Sequence, residues 1–240
     1  MIASHFAFTT LVLLVALALV FDFLNGFHDA ANSIATVVST GVLRPYQAVI
    51  WAAFFNLLAI AIFDLKVAAT VGKGIVSPEF VDAQVIFGAL VGAIVWNLVT
   101  WYYGIPSSSS HALIGGMMGA AMAKGGTAPL LAPGILKVTA FIVISPVLGL
   151  LLGALIMVSV SWVFFRSSPH RVDRFFRRAQ LLSSALYSLG HGSNDAQKTM
   201  GIIWLVLISA GITTSEHIPF WVIASWYSAR ALASSTRVAA

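Results

Sequence analysis

Long apolar runs interrupted by short polar segments dominate this chain. Runs of roughly 20 apolar residues suffice to cross a bilayer as helix. They fall at about 6–24, 46–63, 84–104 and 138–165, followed by a broken stretch over 180–212 and a segment opening near 218. The piece 111–123 is apolar but too short to cross alone. It follows Ile105-Pro106-Ser107-Ser108-Ser109-Ser110-His111, where proline removes a ladder hydrogen bond and four serines compete for backbone partners. Irregular backbone is tolerated at membrane depth only where protein or a water-filled cavity covers it. The pattern therefore predicts a re-entrant hairpin with the serines at its tip, an extramembrane turn being the alternative. Residues 64–83 carry Asp64, Lys66, Lys73, Pro78, Glu79 and Asp82 and read as an aqueous loop; 166–179 read as a second loop between two halves. The predicted domains are a first transmembrane repeat over 1–165, a basic linker over 166–179, and the incomplete start of a second repeat over 180–240.

Two polar segments interrupt the apolar pattern in related ways. Gly26-Phe27-His28-Asp29-Ala30-Ala31-Asn32-Ser33 and Gly192-Ser193-Asn194-Asp195-Ala196-Gln197-Lys198-Thr199 match at Gly, Asp and Ala when aligned on their aspartates, and Ser33 falls opposite Thr199. A carboxylate at membrane depth is costly and marks function by default. Its recurrence after 166 positions suggests a duplicated ion-handling site in an inverted-repeat architecture, for which paired interruptions in corresponding halves are the best sequence pointer. Asp29 and Asn32 share a helix face, as do Asp195 and Lys198. Carboxylate and amide oxygens suit a hard cation such as Na⁺, while a buried carboxylate with a raised pKa can carry a proton. Spacing leaves both open. A polar network that only fixes helix packing is the structural alternative.

Composition confirms the solvent. Hydrophobic residues make up 59% of the 240 positions and charged residues only 9%, with mean hydropathy +0.94, against about a quarter charged in soluble domains. Cysteine is absent, which excludes disulfides and thiolate metal sites. The net charge of +5 makes no case for nucleic acid, because Arg166, Arg171, Arg174, Arg177 and Arg178 cluster in one stretch and mark the cytoplasmic side. No Lys or Arg precedes the first apolar run, so a retained first helix is expected rather than a cleaved signal.

Ser108, Ser109 and Ser110, with the backbone N–H groups that open a helix at His111, form a donor cluster suited to an oxyanion. Gly115, Gly116 and Gly119 read as close helix packing. Serines near His111 with a remote Asp superficially resemble a hydrolase triad, but no nucleophile-elbow pattern is present. Asp22 lies near the first motif and could line the same cavity, without a role of its own to assign; His191, beside the second, could be a proton group, a structural hydrogen bond being the expected role.

On Asn25-Gly26-Phe27-His28-Asp29-Ala30-Ala31-Asn32, Pro106-Ser107-Ser108-Ser109-Ser110-His111 and Gly190-His191-Gly192-Ser193-Asn194-Asp195-Ala196-Gln197-Lys198, the chain resembles the PiT family of inorganic phosphate transporters, in matching order from about residue 8 to about 223. The resemblance implies an all-α, multi-pass inner-membrane protein, an inverted-repeat secondary transporter with broken helices and a re-entrant hairpin, and no enzymatic activity. It implies phosphate symport with H⁺ or Na⁺, no permanently bound cofactor, and phosphate that bacterial members often carry complexed with a divalent metal. Ser108, Ser109 and Ser110 would hold phosphate oxygens; Asp29, Asn32, Asn194 and Asp195 would handle the coupling cation and frame the site. The family's second hydroxyl-rich hairpin is not found before Ala240, and Ser225, Ser228, Arg230, Ser234, Ser235, Thr236 and Arg237 interrupt the pattern after Val222, as expected of a chain cut short. An inactive fragment, one completed by a second chain or homo-oligomer, and transport of another oxyanion such as sulfate are the alternatives.

Overall fold

The computed structural model describes residues 8–62 and 74–213; within its helices the side chains of 27–31, 57, 60–62 and 196 are left undescribed. Among the described residues six α-helices follow in order: α1 Phe8–Ser39, α2 Pro45–Ile62, α3 Ala83–Tyr102, α4 Ser109–Gly125, α5 Ala132–Phe164 and α6 Pro169–Ser209, with a 3₁₀ turn at Pro78–Phe80. Three stretches among the described residues are long and apolar enough to cross a membrane: Phe8–Gly26, Ala83–Tyr102 and Ala132–Phe164. In hydrocarbon each backbone polar group must be satisfied within the chain, which is why the apolar runs become helices.

Two expectations change. The stretch 180–212, expected to be broken, is continuous helix to Ser209, and the basic segment 166–179, expected as a loop, is helical from Pro169 onward. Polar side chains interrupt the hydropathy pattern without disturbing the helical hydrogen bonds. Proline at the first helical position, Pro169, costs no bond there. Likewise α1 runs unbroken through the first motif. The chain does break between α3 and α4, around Gly104 at φ +65°, where extended Ser108 precedes α4. The aqueous loop expected over 64–83 is described only from 74 onward, where Val76 bridges Leu130. The segment opening near 218 lies outside the described residues.

α1 packs against α6, α2 and α3, α2 against α6, and α3 against α4. Leu14, Ala18 and Phe21 of α1, Val85, Ala89 and Leu90 of α3, Leu113 and Met117 of α4, and Met200, Ile203 and Val206 of α6 share one core. Gly116 is where α3 and α4 touch closely: a Cβ there would meet the Ala89 carbonyl oxygen at 2.5 Å, whereas a Cβ on Gly115 or Gly119 would meet none of the described residues within 4 Å. Of the three glycines expected at a packing seam, one occupies it. α5 buries none of its residues and presents an apolar surface all round, as a lipid-facing helix would.

Asp82 caps α3 by accepting from the Val85 amide at 3.0 Å, and Lys124 at the end of α4 bonds its other oxygen at 2.6 Å. Partial burial alone would raise the Asp82 pKa. The Lys124 ammonium and the amide outweigh that and hold the carboxyl below its ordinary value.

Candidate functional site: a buried polar seam between α1 and α6

Thr40 Oγ1 donates to Gln180 Oε1 at 2.7 Å and, at the other end of the seam, Thr199 Oγ1 donates to Asp22 Oδ1 at 2.8 Å. These two bonds fix α1 and α6 as antiparallel neighbours in register. Asn25 and Gly26 then lie level with Asp195, position 29 with Gly192, and Ser33 with Ser188. Each motif's aspartate is level with the other motif's glycine.

The helical repeat explains which residues line the seam. Asp22, Asn25, position 29 and Ser33 recur every three or four residues, as do Ser184, Ser188, His191, Asp195 and Thr199, so each set forms one stripe. Asp22, Asn25, Ser188 and Thr199 are wholly buried, and Ser33, Ser184 and Asp195 nearly so. Packing is tight enough that a Cβ on Gly192 would meet the Asn56 Cα of α2 at 2.6 Å, so glycine is what lets α2 reach the motif.

Asp195, 1% exposed, has Lys198 Nζ at 2.8 Å on Oδ1 and His191 Nε2 at 3.1 Å on Oδ2. The His191 ring stacks on Tyr187 at 5.8 Å. Gln197 Nε2 donates to Ser193 Oγ at 3.0 Å. By contrast, both amide atoms of Asn25 and the hydroxyls of Ser33, Ser184 and Ser188 are buried with no partner among the described residues. Buried polar groups are nearly always bonded; these offer donor and acceptor capacity to a small ion or oxyanion.

The predicted site residues distribute unevenly. Asp195 lies in the seam, whereas Asn32 and Asn194 are exposed. The Asp29 side chain lies outside those described, although its helical position is at seam level. Ser108 is the N-cap of α4, its hydroxyl accepting from the His111 amide at 3.4 Å. Ser109 is 5% exposed, Ser110 is half-buried, and Ser107 accepts from Trp96 Nε1 at 3.0 Å. α4 returns along α3, which sets Ser109 level with buried Asn97. The start of α3 meets the end of α6 where Ser209 Oγ donates to the Val81 carbonyl at 3.4 Å. From that joint Asn97 is about 24 Å along α3 and Asp195 about 21 Å back along α6, at 1.5 Å per residue. Serines and seam thus lie at similar distances from one end of the bundle.

Sequence reasoning passed over Asn56, Asn97, Ser184 and Ser188. Asn56 Oδ1 and Asn97 Nδ2 are also buried without a partner among the described residues. The α6 serines share the aspartate's helical period, a signal that could have found them; Asn56 and Asn97 stand alone in apolar runs and carry none.

The phosphate transporter family model matches residues 25–233. A protein of Rhizobium meliloti named a probable low-affinity inorganic phosphate transporter is 58% identical over 94% of this chain and 68% of its own length. The Bacillus subtilis protein of the same name is 48% identical over 88% of this chain and 64% of its length, so the chain spans about two-thirds of these relatives. A solved structure described as the sodium-dependent phosphate transporter superposes with TM-score 0.83 at 24% identity, over 94% of this chain and 74% of that one, which shows the fold. The family is one of transporters rather than enzymes, and the hydrolase alternative falls with it. This chain is an all-α integral membrane protein belonging to the phosphate transporter family.

Proposed function

We propose that the chain carries inorganic phosphate across the membrane in symport with H⁺ or Na⁺. The observation that carries this reading is the buried α1–α6 seam. It holds two carboxylates, Asp22 and Asp195, beside the Asn25 amide and the hydroxyls of Ser33, Ser184 and Ser188, which have no partner among the described residues. Such groups are expensive at membrane depth unless a function uses them. Asp29 and Asn32 handle the coupling cation, with Asn194 and Asp195 framing the site. Ser108, Ser109 and Ser110, at the start of α4, hold phosphate oxygens through hydroxyls and free helix-terminal N–H groups. Opposite charges loaded together cross a low-dielectric region more cheaply than either alone. Whether phosphate travels alone or complexed with a divalent cation is a question of cargo, since neither form requires a resident cofactor. The names of the bacterial relatives support phosphate as substrate, and the reciprocal register of the two motifs supports an inverted repeat.

Radiolabelled phosphate uptake by cells lacking their own phosphate carriers tests the proposal. Expression of the chain should raise uptake, and Asp29→Asn and Asp195→Asn should each lower it at least tenfold. Undiminished uptake in both variants would remove the aspartates from the mechanism.

A further inference from the structure

The two motifs differ at one chemically decisive position. Three residues after its aspartate the first carries Asn32, a neutral amide, and the second carries Lys198. Lys198 is not a solvated charge: its side chain is 13% exposed, and its ammonium lies 2.8 Å from the carboxylate of Asp195, which is 1% exposed. His191 stands 3.1 Å from the other oxygen. One oxygen of the second motif's carboxylate is therefore held by an ammonium of its own helix, with an imidazole of the same helix close to the other. One residue further on, Thr199 donates to Asp22 of α1, so the seam carries a second buried carboxylate next to the motif.

We propose that Lys198 is a tethered cation that fills, at the second motif, the place a free cation takes at the first. The chain then couples through one mobile-cation site instead of two. The inference rests on the symport reading and assigns its stoichiometry. A free ion arriving at Asp195 would have to displace the ammonium, leaving that charge buried, unpaired and beside the incomer. Breaking a buried pair in this way is strongly unfavourable. An amide at position 198, the residue type the first motif carries at its equivalent position, would instead offer an oxygen ligand and would open the site to a hard cation.

Equilibrium binding of ²²Na⁺ to the purified full chain in detergent tests this. The wild-type chain should bind at most one equivalent of Na⁺. Lys198→Asn and Lys198→Gln should each gain about one equivalent, lost again in the Asp195→Asn/Lys198→Asn double variant, while Lys198→Arg should gain none. Two equivalents on the wild-type chain would overturn the proposal without recourse to any variant. So would neutral variants that elute as the wild type does and gain nothing, or an arginine variant that gains as much as the asparagine one. Phosphate uptake measured in parallel separates the two readings: uptake that persists while the Na⁺ counts contradict the proposal removes the tethered cation and leaves transport standing.

Discussion

Thr199 carries the described hydrogen bond that joins the second motif directly to the first half of the chain, and its partner is the wholly buried carboxylate of Asp22. Thr199→Val keeps the shape and deletes the donor, and a buried acceptor deprived of its donor costs about 1–3 kcal/mol. Thermal unfolding in detergent should show that loss for valine and little for Thr199→Ser. Asp82 gives a pH-dependent counterpart outside the spans. Its folded pKa is depressed, so its contribution is present at neutral pH and is lost as pH falls through the ordinary carboxylate range and below. Both partners are about a third exposed, which limits the ion pair to roughly 0.2–1 kcal/mol. Asp82→Asn, still a good cap, should lose only that, whereas Asp82→Ala should lose a further ~0.5–2 kcal/mol. Melting temperature followed from pH 7 to pH 3 should fall less steeply for the asparagine variant. At this scale the aspartates, Lys198 and the serines could be read from the sequence because they sit in motifs. Asn56 and Asn97 could not, because a lone polar residue gains meaning only when a neighbouring helix buries it.

At the scale of elements, the apolar runs located α1, α2, α3 and α5, but they misplaced the ends. Hydropathy drops at the motifs, so 180–212 read as broken and 166–179 as a loop, yet α6 passes through both as one helix. The backbone bonds of a helix are satisfied internally whatever side chains it carries, provided the polar ones share a face that a neighbour covers. The packing glycines show the same limit: Gly116 meets α3 and Gly119 meets none of the described residues, and only the crossing decides which. Gly192 is the point where α6 admits α2. Gly192→Ala drives a methyl into the Asn56 backbone, and overpacking of this kind typically costs about 1–3 kcal/mol. The measurement is again thermal unfolding; a variant as stable as the parent would show that α2 can shift freely.

For the whole molecule, the sequence made the class and the repeated motif legible, while the register that brings Asn25 level with Asp195 follows only from the antiparallel pairing of α1 with α6. That pairing turns two separate motifs into one buried seam of carboxylates, amides and hydroxyls, with the serine start of α4 at a similar distance from the bundle's end. The central claim is that seam and serines together move phosphate. Reconstitution of the purified chain into liposomes, with radiolabelled phosphate outside and excess unlabelled sulfate as competitor, tests it most directly. Phosphate still carries a proton that it can donate to a carboxylate at neutral pH, and sulfate does not. Phosphate should accumulate above the level in empty liposomes, little affected by sulfate and lowered by Ser109→Ala. Accumulation no greater than in empty liposomes, or uptake that sulfate abolishes, would contradict it.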